Sequence, residues 1–415
     1  MTLENIGDLE KAKFIKNSLT ESSVRTSQGD VVANDAFSRF RVSTPSVIFN
    51  SMEANGTKTL LFSENTDGGA SISYLANKSA HKFETTTASG DKATRSSKKL
   101  AEYVPGTSLM VFCTGIFGQG ASNSRQRMGL LDDQNGIFFE QKDGLMGITL
   151  RTYTSGTAVD THYTQADWNL DKLDGTGISG KTLDRTKTNI YIIDLQWLGV
   201  GRIRLAVDID GVIVPVHQIL NANIKSDVYM TTPRLPVRYE VENTDTSTAL
   251  DDFRMICTSV ITEGLPATDP FPRSINNGIV GVTTSTTEDP IISLRLKAAF
   301  ANKANLRIKD LSTVTTARAD HLFRLYVNAT LTGASWADAD GIAQRDVAAS
   351  AVSGGTLLAS FYSSQLNQIV IDSLSNNQFV LGSELDGTTD IFTITAQAFT
   401  GTDVAYAAID YEELY

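Results

Sequence analysis

The strongest constraint on the fold is a run of alternating apolar and charged residues that ends in an Asp-Gly pair. Apolar residues occupy every second position from Ile203 to Ile209, and Asp210-Gly211 separates them from a second apolar run at 212–216. Alternation with period two is typical of a strand with one buried face, and Asp-Gly favours the tight turn of a β-hairpin. This stretch therefore predicts a half-buried hairpin.

A second hairpin is predicted from Asn135-Gly136, which stands between the apolar runs 129–131 and 137–139. Both residues tolerate positive φ, which the two central positions of a type I′ turn require. The dipeptide therefore predicts the tip of a two-residue hairpin turn.

Short strand-like runs with turn residues between them continue along most of the chain. They extend from about residue 47 to residue 262, and eight more follow from residue 291. The segment 93–104 contains helix-forming residues but lacks an apolar stripe, so we assign it to a strand as well. The insertion at 336–350 is expected to be a surface loop with one helical turn. Strands at this spacing predict an all-β fold of two antiparallel, jelly-roll-like β-sandwiches.

The length and composition of the chain predict a division into four segments. At 415 residues the chain exceeds what one hydrophobic core usually supports. Prolines are concentrated in a polar stretch, 263–290, where the missing N–H donor disfavours a sheet interior. We therefore expect an extended N-terminal arm at 1–34, a first sandwich at 35–262, a Pro-rich linker at 263–290 and a second sandwich at 291–415.

The arm carries a few apolar side chains in a polar context. It is too short and too rich in Ser, Thr, Asn and Gly to build a core of its own. Its apolar side chains therefore need a partner surface, which makes them the candidate assembly residues. They are Leu3, Ile6, Leu9, Phe14 and Ile15.

Composition argues against several classes of function. A formal charge of −11 and a pI near 4.9 disfavour binding to nucleic acid or to an anionic membrane surface. The N-terminal residues lack the apolar centre of a signal peptide, and no run has the length of a membrane span. We therefore expect a soluble chain made in a cytoplasm, with Cys113 and Cys257 as free, buried thiols.

A glycine-rich segment imitates a nucleotide-binding loop. Gly175, Gly180, Lys181 and Thr182 match the phosphate-binding pattern. That pattern functions only between a buried strand and a helix, whereas polar residues precede this segment and only eight residues separate Lys181 from Ile190. We therefore predict a surface loop and no nucleotide or other cofactor.

No residue pattern predicts a catalytic or metal site. The Asp208 and Asp210 pair lacks the further ligands of a calcium loop, and a loop-built calcium site that includes Asp171 and Asp174 stays an open alternative. The four histidines lack zinc-type spacing, and no G-x-S-x-G motif is present. Glycosidase chemistry by two carboxylates also stays open, because such pairs are assembled in space. The prediction is a chain that is not an enzyme.

Aromatic residues near the glycine loop form the one candidate binding cluster. Exposed aromatic rings can stack on sugars, which makes Tyr163 and Trp168 the candidate glycan contacts. Trp197 lies inside an apolar run and is expected in the core.

Four ordered motifs resemble a family of virion structural proteins of tailed bacteriophages and some giant viruses. The resemblance spans residues 35–262 and implies a particle component without established catalytic residues. The motifs are DAFSRFRVSTPSVIFNSM, RQRMGLLDDQNGIFFE, WNLDKLDGTGISGKTLD and IDLQWLGVGRIRL.

The resemblance implies a structural, non-enzymatic protein located in the virion, as a capsid-associated, tail, baseplate or fibre component. Its expected partners are further copies of itself, with a trimer as the expected state, and other virion proteins. The alternatives are a receptor- or glycan-binding module that contacts the host surface and, third, a glycan-degrading virion enzyme.

Overall fold

The computed structural model describes residues 44–247, 253–264, 271–316, 318–372 and 379–415, together with the backbone of two short strands at 23–25 and 31–33. Within these residues, the elements other than strands are four 3₁₀ helices, Glu53–Asn55, Ala76–Lys78, Gln165–Asp167 and Ala298–Phe300. None of the described helices has the length and apolar character to cross a membrane. The predicted all-β class is confirmed.

Strands β1 and β2 form a separate antiparallel pair, and β3 to β17 form the first sandwich. The bounds are β1 Ser23–Arg25, β2 Val31–Ala33, β3 Pro45–Met52, β4 Phe62–Asp67, β5 Ser71–Leu75, β6 Ala80–Glu84, β7 Lys92–Leu100, β8 Leu109–Ile116, β9 Ser124–Leu131, β10 Gly136–Lys142, β11 Leu145–Thr152, β12 Val159–Thr164, β13 Asn189–Leu195, β14 Ile203–Ile209, β15 Val212–Ile219, β16 Pro236–Asn243 and β17 Phe253–Glu263.

The first sandwich consists of two antiparallel sheets. One has seven strands in the order β12-β11-β10-β9-β16-β7-β4, and the other has eight strands that include β15-β14-β13-β8-β17-β6-β5, with β3 also paired to β17. Their inner faces share one core, in which Phe139 contacts Tyr191 at 4.9 Å between ring centroids and Phe117 contacts Phe253 at 5.4 Å. Burial of each such ring stabilises the fold by about 1.5–3 kcal/mol.

Strands β18 to β30 form the second sandwich around a second apolar core. The bounds are β18 Phe271–Asn276, β19 Val282–Thr284, β20 Asp289–Leu296, β21 Asn305–Thr315, β22 His321–Val327, β23 Thr330–Thr332, β24 Ala337–Asp338, β25 Ala343–Asp346, β26 Ala351–Ser353, β27 Thr356–Ser363, β28 Ile369–Asp372, β29 Ile391–Ala398 and β30 Asp403–Leu414. Its sheets have the orders β18-β30-β21-β28, with β19 also on β30, and β24-β25-β20-β29-β22-β27, beside a small β23-β26 pair.

One predicted hairpin turn is confirmed and the other is wrong. Asp210 and Gly211 have φ of 56° and 76°, and β14 pairs with β15 directly across this two-residue turn. The β9–β10 loop instead contains four residues, 132–135, because Gly136 already pairs with Leu131 as the first residue of β10. The Asp132 side chain accepts from two backbone N–H groups of this loop, which replaces the expected type I′ turn.

Two expected irregular segments contain strands. The prediction of a linker over 263–290 is wrong from residue 271 onward, because β18 and β19 pair with β30 and β20 begins at Asp289. Pro272 is tolerated because β18 lies at a sheet edge. The expected surface loop at 336–350 contains β24 and β25, and β25 pairs with β20.

Polar contacts join the two sandwiches beside β7. The Asn305 side chain accepts from the backbone N–H of Leu100 at 3.0 Å and donates to the carbonyl of Lys98 at 2.9 Å. Arg307 of β21 forms a buried ion pair with Glu102. These contacts place the start of β21 against the end of β7.

Candidate functional site

A dense group of ionisable side chains lies on the outer face of the seven-stranded sheet. Apolar residues of β9, β10 and β16 point into the core, and the residues between them therefore point outward. We call this outer face the polar sheet face. It contains Lys92 and Thr94 of β7, Arg125 and Arg127 of β9, Glu140 and Lys142 of β10, Thr149 of β11, His162 of β12 and Arg238, Glu240 and Glu242 of β16.

Arg127 is the centre of this face. The strand register places it between Glu140 of β10 and Glu240 of β16. Its Nε donates to Oε1 of Glu140 at 2.9 Å, and its guanidinium also donates to Glu240 and to Oε2 of Glu242 at 3.0 Å. Its side chain is only 3% exposed, so one buried guanidinium is shared by three carboxylates.

Glu140 is held as a carboxylate by its neighbours. Burial alone would raise its pKa, but hydrogen bonds from His162 and Thr149 and the charge of Arg127 outweigh burial and lower the pKa well below its usual range. The Glu140 Oε2 atom lies 3.3 Å from Nδ1 of His162. Gly147 makes room for this imidazole, because a Cβ at that position would lie 2.5 Å from His162 Cε1.

Glu240 is ionised for a similar reason. Burial would raise its pKa, but Arg127, Lys92 and Arg238 together lower the pKa to about 2. Its Oε2 lies 3.1 Å from Nζ of Lys92 and accepts from Thr94 Oγ1 at 3.2 Å. A general acid near neutral pH needs a raised carboxyl pKa. Glu140 and Glu240 are therefore suited to electrostatic pairing and unsuited to donating a proton.

A second buried cluster lies between β6, β7 and the turn after β3. Glu53 is fully buried, with Oε2 at 3.0 Å from Nδ1 of His81 and 3.1 Å from the Arg95 guanidinium. Although burial alone would raise the pKa of Glu53, hydrogen bonds from His81 and Ser51 and the charge of Arg95 lower it. Thr57 Oγ1 is 3.4 Å from His81 Nε2, at the outer limit of hydrogen bonding. The role supported by this geometry is to fix the Glu53 turn against the sheet.

A groove of about 510 Å³ is lined by residues of both sandwiches. Leu60, Leu358 and Phe379 supply apolar surface, and threonine hydroxyls and Lys58 supply polar atoms. The residues that line it are Thr57, Lys58, Thr59, Leu60, Leu61, Thr356, Leu358 and Phe379.

The two predicted glycan contacts are not an exposed pair. Trp168 is 2% exposed and belongs to the first core, so the prediction that it contacts a glycan is wrong. Tyr163 is half-buried, and its ring packs on His217 at 4.7 Å between centroids. Trp197 packs against the same core, as expected, and its indole N–H donates to the carbonyl of Met230 at 3.1 Å. Alternation along a strand does not reveal which aromatic rings a neighbouring loop covers.

The glycine-rich segment 175–182 forms a loop closed by a bridge between Asp174 and Thr182. Asp171 is buried and accepts from the backbone N–H groups of Leu173 and Ser179, while Lys181 Nζ pairs with Asp210 at 2.6 Å. Among the described residues, no group of three or more His, Cys, Asp and Glu side chains has the arrangement of a metal site. The arm candidates Leu3, Ile6, Leu9, Phe14 and Ile15 lie outside the described residues.

Both cysteines are free thiols, but only Cys113 is buried as expected, whereas Cys257 is half-buried. Cys113 of β8 lies opposite Thr258 of β17, whereas Cys257 lies opposite Thr114. The two side chains therefore point to opposite faces of the sheet. Burial raises the pKa of Cys113 to about 11.

No protein-family model and no curated protein matches this chain. Several solved structures are similar to about half of it. A glycoside hydrolase family protein from Mycobacterium thermorestibile has 11% identity over 52% of this chain and 100% of its own, with a TM-score of 0.37. The endo-β-1,4-glucuronan lyase from the fungus Trichoderma reesei has 10% identity over 54% and 100%, with a TM-score of 0.35.

The Bacillus licheniformis β-glucanase has 11% identity over 51% of this chain and 96% of its own, with a TM-score of 0.34. Similarities of this size carry no argument about activity. The assignment of two β-sandwiches rests on the strand orders described above.

Proposed function

We propose that this chain is a non-enzymatic structural component of a virion, which assembles with copies of itself and with other virion proteins through its arm and its sandwich surfaces. The observation that carries the proposal is the state of its ionisable groups. Glu140 and Glu240 of the polar sheet face are buried, have lowered pKa values and are paired with Arg127, Lys92 and Arg238. Carboxylates in this state are suited to electrostatic pairing and unsuited to general acid catalysis, which supports the non-enzymatic part of the proposal.

Exposed apolar side chains on the second sandwich support a role in assembly. Strands β27 and β28 end the two sheets, and the segment between them also contains a large exposed side chain. Tyr362 is 70% exposed and packs edge-on against exposed Phe399. Open sheet edges with apolar side chains are surfaces on which protein partners dock. The exposed apolar residues of this region are Leu357, Tyr362, Leu366, Val370 and Phe399.

The glycan-degrading alternative is weaker. Hydrolysis by two carboxyl groups needs one group with a raised pKa that protonates the leaving oxygen. The pKa values of Glu140 and Glu240 are lowered instead. Reducing-sugar release from host polysaccharide by the purified protein would support the enzyme and contradict the present proposal.

Deletion of residues 1–34 tests the assembly role. We expect the truncated protein to keep its thermal melt but to show weaker oligomerisation in sedimentation and poorer incorporation into particles. The control replaces 1–34 by a Gly/Ser tail of equal length, which retains bulk but loses the apolar side chains. Full assembly and incorporation of both variants would overturn the proposal for the arm.

A further inference from the structure

Two cations on the polar sheet face differ from the rest of its charges. Arg125 lies two residues before Arg127, and Lys142 lies two residues after Glu140, so both point outward with the paired cluster. The β9–β10 register places Arg125 directly opposite Lys142. Side chains opposite each other in an antiparallel pair have Cβ atoms about 4.5–5.5 Å apart. Two positive groups therefore stand side by side.

Neither cation is neutralised within the part of the chain that the structure describes. Glu242, which lies opposite Arg125 on the other side of β9, directs Oε2 to Arg127 at 3.0 Å. Asp143, next to Lys142, accepts from the backbone N–H of Asn123 at 2.7 Å. Among the described residues, the Nε of Arg125 is buried without a hydrogen-bond partner, although Arg125 itself is half-buried.

This arrangement is unfavourable for the isolated chain. Like charges directly opposite each other destabilise a sheet. The protein has 47 acidic residues against 36 Lys and Arg, so acidic partners are abundant in its composition. The unpaired cations and the orphaned Nε are instead suited to an anion supplied from outside.

We propose that Arg125 and Lys142 form a binding site for the acidic groups of a polysaccharide. The guanidinium fork can bind a carboxylate or sulfate through two hydrogen bonds, while the ammonium adds a point charge. Both side chains are half-buried and lie on neighbouring strands, with Lys142 beside the β10–β11 turn, so a long ligand can contact both by crossing the strands. Two cations bind a single acidic group weakly. A polymer with many such groups binds with higher overall affinity, because a neighbouring group can rebind after one dissociates.

Charge spacing favours an acidic glycan over nucleic acid as the polyanion. Duplex DNA carries one negative charge per about 1.7 Å of its axis, so its binding requires many cations, whereas this site offers two on a chain with a net charge of −11. A polysaccharide with widely spaced acidic groups can place a single group at the two cations. This site would serve the glycan-binding alternative, and it does not depend on the arm. Binding by full-length protein and incorporation into particles are separate measurements, so either can fail alone.

The test measures binding of full-length protein to three labelled polymers by fluorescence anisotropy at low salt. Alginate carries carboxylates, dextran sulfate carries sulfates, and dextran is neutral. We expect binding to one or both acidic polymers, loss at high salt and no binding to neutral dextran. Comparison of alginate with dextran sulfate identifies the acidic group. Absence of binding to both acidic polymers would overturn the proposal.

Variants locate the site. Lys142→Glu places an acid opposite Arg125, so we expect an equal or higher melting temperature together with at least about tenfold weaker binding, as charge-assisted contacts are lost. Lys142→Gln should weaken binding in the same direction. Lys225→Gln, at an exposed loop lysine, is the matched control and should bind like the unmodified protein. Unchanged binding by both Lys142 variants would place any polyanion site elsewhere.

Discussion

Lys98 of the first sandwich donates through Nζ to Oδ1 of Asp390 in the second sandwich at 2.8 Å, and the two side chains are 2% and 4% exposed. Asn328 donates to the same oxygen at 2.8 Å, and the backbone N–H of Gly382 donates to Oδ2 at 3.0 Å. Burial alone would lower the pKa of Lys98, but Asp390 and Glu384 raise it. The pair thus joins the two sandwiches as a hydrogen-bonded ion pair.

We expect Lys98→Met to destabilise the protein by about 3–5 kcal/mol, because it leaves Asp390 buried without its cation. Since the lost contact crosses between the sandwiches, calorimetry should also show the two sandwiches unfolding less cooperatively. The control is Lys309→Met. Lys309 pairs with Glu412, and its side chain is 42% exposed, so we expect the free energy of unfolding to change by at most about 1 kcal/mol. Equal effects of both variants would refute a special role for the junction.

Arg127→Met should be among the more damaging substitutions in the first sandwich. It removes the cation shared by Glu140, Glu240 and Glu242, and breaking a buried pair from one side costs about 3–5 kcal/mol. Urea unfolding measures this loss. Lys181→Met breaks an exposed pair with Asp210 and should change the free energy of unfolding by less than about 1 kcal/mol.

Acid should destabilise the protein progressively below the ordinary pKa of glutamate. The folded-state pKa of Glu240 is about 2 and that of Glu140 is lowered, so both contribute stability above the unfolded-state value, near 4.3. That stability is lost as pH falls from about 5 towards 2, because the unfolded chain binds protons first. Urea unfolding across this range measures how steeply the free energy of unfolding depends on pH. We expect a weaker dependence in Glu240→Gln. An unchanged dependence in this variant would assign the acid sensitivity to other carboxylates.

Cys113 should resist alkylation in the native protein. It is 1% exposed, and burial raises its pKa to about 11, so almost no thiolate is available at neutral pH. Mass spectrometry after N-ethylmaleimide treatment should show label on Cys113 only in urea. In Cys257→Ser the native protein should therefore stay unlabelled. Rapid native labelling of Cys113, or a disulfide in the unmodified protein, would contradict this expectation.

The burial and charge pairing of the polar sheet face could not be predicted from the sequence. Period-two alternation indicates that Arg127, Glu140 and Glu240 share an orientation relative to the core, yet it suggests a solvated face. The structure instead buries all three, because strands β9, β10 and β16 bring their charges into register. Arg127 and Glu240 are 113 residues apart, and local patterns contain no information about such pairing.

The sequence by itself determined the all-β class, the approximate positions of most strands and the Asp210-Gly211 turn, since these depend on alternation and on the φ preferences of neighbouring residues. Tertiary structure decided that Trp168 is buried, that β18 and β19 extend the second sandwich and that Lys98 meets Asp390 across 292 residues of chain. Burial and charge pairing depend on which strands become neighbours, and strand order is a property of the whole chain.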